Sequence, residues 1–154
     1  DITMLCLEYK RKMGDNSMNE ITVEATVENI SKVTDFVDDI LDNVNCPLKV
    51  KMQMDIAIDE IFGNIAHYAY GDKVGKATVR IEKYDNPKAI GITFIDSGVA
   101  YNPLEKEDPD ITLSAEEREI GGLGIYMVKK NMDTMEYEYS QGQNKLLIKK
   151  YIDW

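Results

Sequence analysis

The spacing of the apolar residues changes abruptly within the first third of the chain. Ile21, Val23, Ala25 and Val27 alternate with polar neighbours, which is the pattern of a strand with one buried face. From Ile30 the apolar residues Val33, Phe36, Val37, Ile40, Leu41 and Val44 recur at steps of three and four, so residues 30–45 are expected to form an amphipathic helix stopped near Pro47. A longer, more apolar helix is expected over 48–70, broken by Gly71 and Gly75. Alternating strands then follow at 76–84 and 89–96, joined by the turn-forming Asp85-Asn86-Pro87-Lys88. A helix at 123–132 and a hairpin with strands near 135–140 and 145–152 complete the pattern. The apolar run Ile2–Leu7 reads as a strand, and Gly14–Ser17 reads as a linker behind it.

The chain of 154 residues, 44% of them hydrophobic, fits one domain that can close a core without covalent help. With 18 basic against 28 acidic residues it offers no electrostatic footprint for nucleic acid or for an anionic membrane surface. Cys6 and Cys46 lie in apolar surroundings without metal-ligand spacing and read as reduced, buried thiols of a cytoplasmic protein. No apolar run is long enough to span a bilayer, and no signal segment opens the chain.

Three places carry chemistry. Glu60, Asn64 and His67 fall at i, i+4 and i+7 and are expected to share one face of the second helix. A carboxylate and an amide oxygen one turn apart suit Mg²⁺ or its waters; the plainer reading is a face that meets solvent. Asp96-Ser97-Gly98 follows a strand in which Ile90, Ile92 and Phe94 alternate. There the carboxylate can accept from an exocyclic amine and the glycine can admit a flat ring, unless the segment is an ordinary turn. Gly121-Gly122-Leu123-Gly124 opens a helix, where exposed N–H groups and the helix dipole hold anions; the alternative is a hinge with a tight helix entry. It is neither a dinucleotide fingerprint, because Met127 stands at the third glycine position, nor a P-loop. The intervening residues 97–121 are acidic, contain Pro103 and Pro109, and are long for a connection, which a functional lid over 104–120 explains.

In this order the three segments resemble the N, G1 and G2 boxes of the GHKL ATPases, and the resemblance covers residues 18–152. It implies a Bergerat fold: an α/β (α+β) sandwich with a mixed, mostly antiparallel sheet, helices on one face and an ATP lid. It also implies that Glu60 is the catalytic base, Asn64 the Mg²⁺ ligand and Asp96 the adenine contact. Gly98, Gly122, Leu123 and Gly124 are then the segments around the nucleotide, with Arg118 as the candidate γ-phosphate contact, since Ile120 stands where the kinases of this group place a basic residue. Asn64-Ile65-Ala66-His67 resembles the anti-sigma-factor serine kinases in particular, with no phosphoacceptor role for His67.

The resemblance implies an ATP-binding, Mg²⁺-dependent serine/threonine protein kinase that acts as an anti-sigma factor. Its partners would be an anti-anti-sigma protein that it phosphorylates and a sigma factor, with a homodimer among the expected assemblies. The alternative is an ATP-sensing regulatory module, without kinase activity, of a phosphatase-containing protein. Residues 1–7 are similar to the end of PPM-type stress-response serine phosphatases. That makes 1–17 the tail of an upstream domain or an extension, and 18–154 the histidine kinase-like ATPase domain.

Overall fold

The computed structural model describes residues 10–12, 18–105 and 123–152. Strand β2 (Met18–Glu24) buries Asn19, Ile21 and Val23 and turns the residues between them toward its more exposed side. It pairs with β1 (Lys10–Lys12) on one edge and with β3 (Lys76–Asp85) on the other. The contact with β1 crosses the boundary expected between residues 17 and 18. β3 pairs with β4 (Lys88–Asp96), β4 with β6 (Gln143–Tyr151), and β6 with β5 (Thr134–Ser140).

The sheet order is β1-β2-β3-β4-β6-β5. Every pairing among the described residues is antiparallel, in keeping with the mostly antiparallel sheet expected. β5 runs in the same direction as β4, but β6 folds back between them, so the two parallel strands never touch.

Ile21, Val79, Phe94 and Leu146 stand in one row across the sheet, and Val23, Ala77, Asp96 and Asn144 in the next. The first row is wholly apolar; the second turns polar on its last two strands. Helices α1 (Ile30–Asn43), α2 (Leu48–Asn64) and α3 (Leu123–Asn131) join this face in one core. α1 contributes Val33, Val37 and Leu41 at four-residue steps, and α2 contributes Met54, Ile58 and Phe62 in the same way. The opposite face carries polar cross-strand pairs: Thr22 with Thr78 at 2.8 Å, and Arg80 Nε on Glu20 Oε2 at 3.0 Å.

α1 ends before Pro47. Asn45 adopts φ 56°, its N–H donates to Asp42 O, and the N–H of Cys46 donates back to Leu41 O. This left-handed cap satisfies carbonyls that the helix leaves open, and asparagine tolerates the conformation better than most residues. The residues from Leu48 onward then start α2 afresh, with Pro47 as its N-cap.

Between α1 and α2 the carboxyl groups of Asp38 and Asp55 face each other, and each keeps one buried oxygen without a partner. Burial, the hydrogen bond to Asp38 and its charge push Asp55 up to about 7. A proton held more tightly in the folded state than in the unfolded chain favours folding at low pH. That contribution is complete below the ordinary value of 3.8 and is lost as the pH rises to about 7. The melting temperature is therefore expected to be higher at pH 5 than at pH 8. Asp55→Asn should raise the pH 8 value and flatten the profile, which a thermal scan across this range checks.

Cys46 is half-buried, and burial together with the Asp42 charge pushes its thiol up to about 11, as suits an unreactive, protonated cysteine. Cys6 lies outside the described residues. Among the described residues no helix is long and apolar enough to cross a membrane.

Candidate functional site

A cavity of about 490 Å³ opens where the polar end of the sheet meets α2 and α3. Its walls include Glu60 and Asn64 from α2, Asp96 from β4, Tyr137 from β5 and Asn144 from β6, with Ile125 of α3 closing one side. A concave, largely apolar pocket with a few convergent polar groups is the ordinary form of a small-molecule site.

Glu60 and Asn64 lie one turn apart, and Asn64 Nδ2 donates to Glu60 Oε1 at 3.2 Å. The bond fixes the amide's orientation. With its nitrogen committed to the carboxylate, the carbonyl oxygen of Asn64 is the atom left for a hard cation. Among the described residues no group of three His, Cys, Asp or Glu side chains could hold a metal alone. The Asn64 carbonyl oxygen and the Glu60 carboxylate are hard oxygen donors of the kind Mg²⁺ takes, one or two from protein with phosphate and water completing the shell.

His67 does not share that face. After Asn64 the helix widens into a π-turn over Ile65–Ala69, and the slower rotation per residue brings Tyr68 and Ala69 to the cavity while His67 turns outward and is exposed. The expected i, i+4, i+7 stripe assumes regular α-geometry, and the π-turn breaks it after its second member.

The π-turn also anchors the segment that follows β4. Val99 donates its backbone N–H to Ala69 O at 2.8 Å, and a Cβ on Gly98 would run into that same carbonyl group. Gly98 is thus needed where two backbones meet. Tyr70 holds the other side of the junction: its hydroxyl accepts from the Ser97 N–H at 2.8 Å and donates to Lys76 O, tying the start of β3 to the end of β4. Burial pushes the Tyr70 hydroxyl above its ordinary value, which keeps it a donor.

Asp96 is 6% exposed at the cavity floor. Its Oδ1 accepts from the Gly98 N–H at 2.9 Å and from Asn144 Nδ2 at 3.0 Å, which leaves Oδ2 as the oxygen available to a molecule in the cavity. Gly124, in the first turn of α3, packs directly on Glu60, and a Cβ there would overlap its carboxyl group. The lone glycine hydrogen lets the positive end of α3 come against the α2 carboxylate. Leu123 begins α3; Gly122, Arg118 and residues 106–120 of the expected lid lie outside the described residues.

Residues 23–150 match the sequence pattern of the histidine kinase-like ATPase domain, which is most of the chain. The chain belongs to that family. It is also 33% identical over 100 residues to the serine-protein kinase RsbW of Bacillus thuringiensis and to that of Bacillus cereus, and 32% identical over 100 residues to that of Bacillus mycoides. Each alignment covers 62% of this chain and 61% of the relative, so the chain spans about three-fifths of the length of the kinases it matches.

As a member of the histidine kinase-like ATPase domain family, the chain gathers Glu60, Asn64 and Asp96 around one cavity and sets Gly98 and Gly124 where backbones press against them. Asn144 and Tyr137 join this site without having been singled out in the sequence. A signal for Asn144 existed: along β6 the core-facing positions are Asn144, Leu146 and Ile148, and an amide in an otherwise apolar row requires partners.

Proposed function

We propose that this chain is an ATP-dependent serine/threonine protein kinase that acts as an anti-sigma factor. It would phosphorylate an anti-anti-sigma partner and hold a sigma factor, in the cytoplasm. The observation that carries the reading is the Glu60–Asn64 pair, whose hydrogen bond frees the Asn64 carbonyl oxygen toward the same cavity that Asp96 closes from the other end. Similarity to serine-protein kinases supports the reaction class.

Asp96 Oδ2 accepts from the adenine amine, and the apolar walls cover the ring. Asn64 offers its carbonyl oxygen to Mg²⁺, which when bound draws charge from the phosphate oxygens. Glu60 accepts the proton of the attacking serine hydroxyl as its oxygen bonds to the γ-phosphorus and the bond to the ADP oxygen breaks. Alignment of the reacting groups supplies most of the acceleration.

The test is incubation with γ-labelled ATP and a serine-bearing anti-anti-sigma protein. Label on a partner serine is the expected result. Tight ATP binding with no label on any candidate partner would replace the kinase with the ATP-sensing module.

A further inference from the structure

Asn144 is buried to 6% exposure at the polar end of the sheet, and each hydrogen-bonding position on its side chain is engaged. Nδ2 donates to Asp96 Oδ1 at 3.0 Å and to Val99 O at 3.0 Å. Oδ1 accepts from the Tyr101 N–H at 3.1 Å and from the Tyr137 hydroxyl. A carboxamide has two N–H donors and two acceptor lone pairs, so these four groups, all bordering the cavity, fill its capacity, and Gly98 O at 3.5 Å is a further, longer contact of Nδ2. The orientation of the amide is decided by partners that allow no alternative: a backbone N–H can only donate, and a backbone carbonyl can only accept. Burial raises the Tyr137 hydroxyl above its ordinary range, so it too remains a donor.

Asp96 consequently faces a fixed donor. Together with the Gly98 N–H, that donor occupies Oδ1, so the carboxylate is held in one orientation with Oδ2 left as its open acceptor. We propose that Asn144 is a positioning residue that sets nucleobase selectivity: it holds Asp96 as an acceptor-only group, so that the cavity takes a 6-amino purine and rejects a 6-oxo purine. Through Val99 and Tyr101 the same amide ties the segment after β4 to β6, which keeps the cavity rim in register with the carboxylate. The inference rests on the nucleotide reading above.

The experiment compares ATP with inosine triphosphate, which carries a carbonyl oxygen in place of the 6-amine and, with it, a proton on N1 where adenine has an acceptor. Both are titrated calorimetrically with Mg²⁺ into the full chain. The wild type should favour ATP by about tenfold or more, the scale of leaving one buried polar group unpaired. Asn144→Asp keeps the acceptor for Tyr101 and Tyr137 but removes the donors to Asp96 and to Val99 O. The two carboxyl groups must then share a proton, and Asp96 can present a donor. ATP should weaken by about tenfold while inosine triphosphate holds or improves, so the preference disappears.

Equal weakening of both nucleotides, with the wild-type ratio kept, would mean that Asn144 only supports the fold and would overturn the inference. Should Asn144→Asp not fold, Tyr137→Phe decides. It removes one of the two bonds that orient the amide oxygen and should lower the ratio about twofold to threefold, and an unchanged ratio overturns the inference. A wild type that binds ATP without preference removes the Asp96 role and this one together, whereas a wild type that binds neither nucleotide overturns the proposed function itself.

Discussion

Glu60→Gln is expected to leave most of the ATP affinity in place and to slow phosphoryl transfer by about a hundredfold or more, the usual consequence of losing a general base. Glutamine keeps an oxygen that can accept from Asn64 Nδ2, so the local geometry of α2 survives the change. Asn64→Ala should behave differently. It removes the one amide oxygen that the pair leaves free, and a cation with strict octahedral demands then loses a ligand. Nucleotide affinity in the presence of Mg²⁺ should fall, transfer should fall with it, and affinity measured without Mg²⁺ should change little. Calorimetry with and without Mg²⁺, paired with a transfer assay, separates the two variants. If Glu60→Gln binds ATP normally and still regulates its partner at wild-type strength, the chain is a nucleotide sensor.

The second large effect is expected at Gly98. Its missing side chain is what lets the residues after β4 lie against the carbonyl of Ala69, whose backbone O and C, with the Ala69 Cβ, are the atoms an added side chain would meet. Gly98→Ala must push the two segments apart, at a cost of about 1–3 kcal/mol in stability, the range for overpacking a tight contact. Because the Gly98 N–H also donates to Asp96, nucleotide affinity should drop along with stability. Gly63→Ala is the matched control. It sits in α2, where a Cβ would meet only the end of Ile30 at 4.0 Å, so the helix should gain up to about 1 kcal/mol from the better helix former. Chemical denaturation and ATP titration of the two variants should move in opposite directions for stability. A Gly98→Ala protein as stable and as tight as the wild type would remove the close backbone contact from the account.

The site was legible in the sequence where local spacing decides geometry. Glu60 and Asn64 face one cavity because four residues of regular helix bring side chains to one side. Asp96 faces it because strand alternation from Ile90 through Phe94 carries the same side to residue 96. The glycines were legible as positions, though not as contacts: nothing in the sequence says that Gly98 meets Ala69 or that Gly124 meets Glu60. Arg118, Gly122 and the expected lid remain readings of sequence, outside the described residues.

By itself the sequence determined the order of strands and helices from β2 to β6 and most of the apolar residues they bury, because apolar period is a local property that one segment settles alone; Val27, expected on the buried face of β2, lies beyond its end and is exposed. It also set the end of β4 and the last turns of α2 as the places for polar chemistry. Tertiary structure decided what depends on neighbours distant along the chain. β6 enters between β4 and β5 and makes the described sheet wholly antiparallel. The π-turn after Asn64 turns His67 away from the cavity, a change of phase that the residue pattern does not announce. Asn144 reaches Asp96 across 48 residues of chain, since strand register is fixed only when the whole sheet pairs.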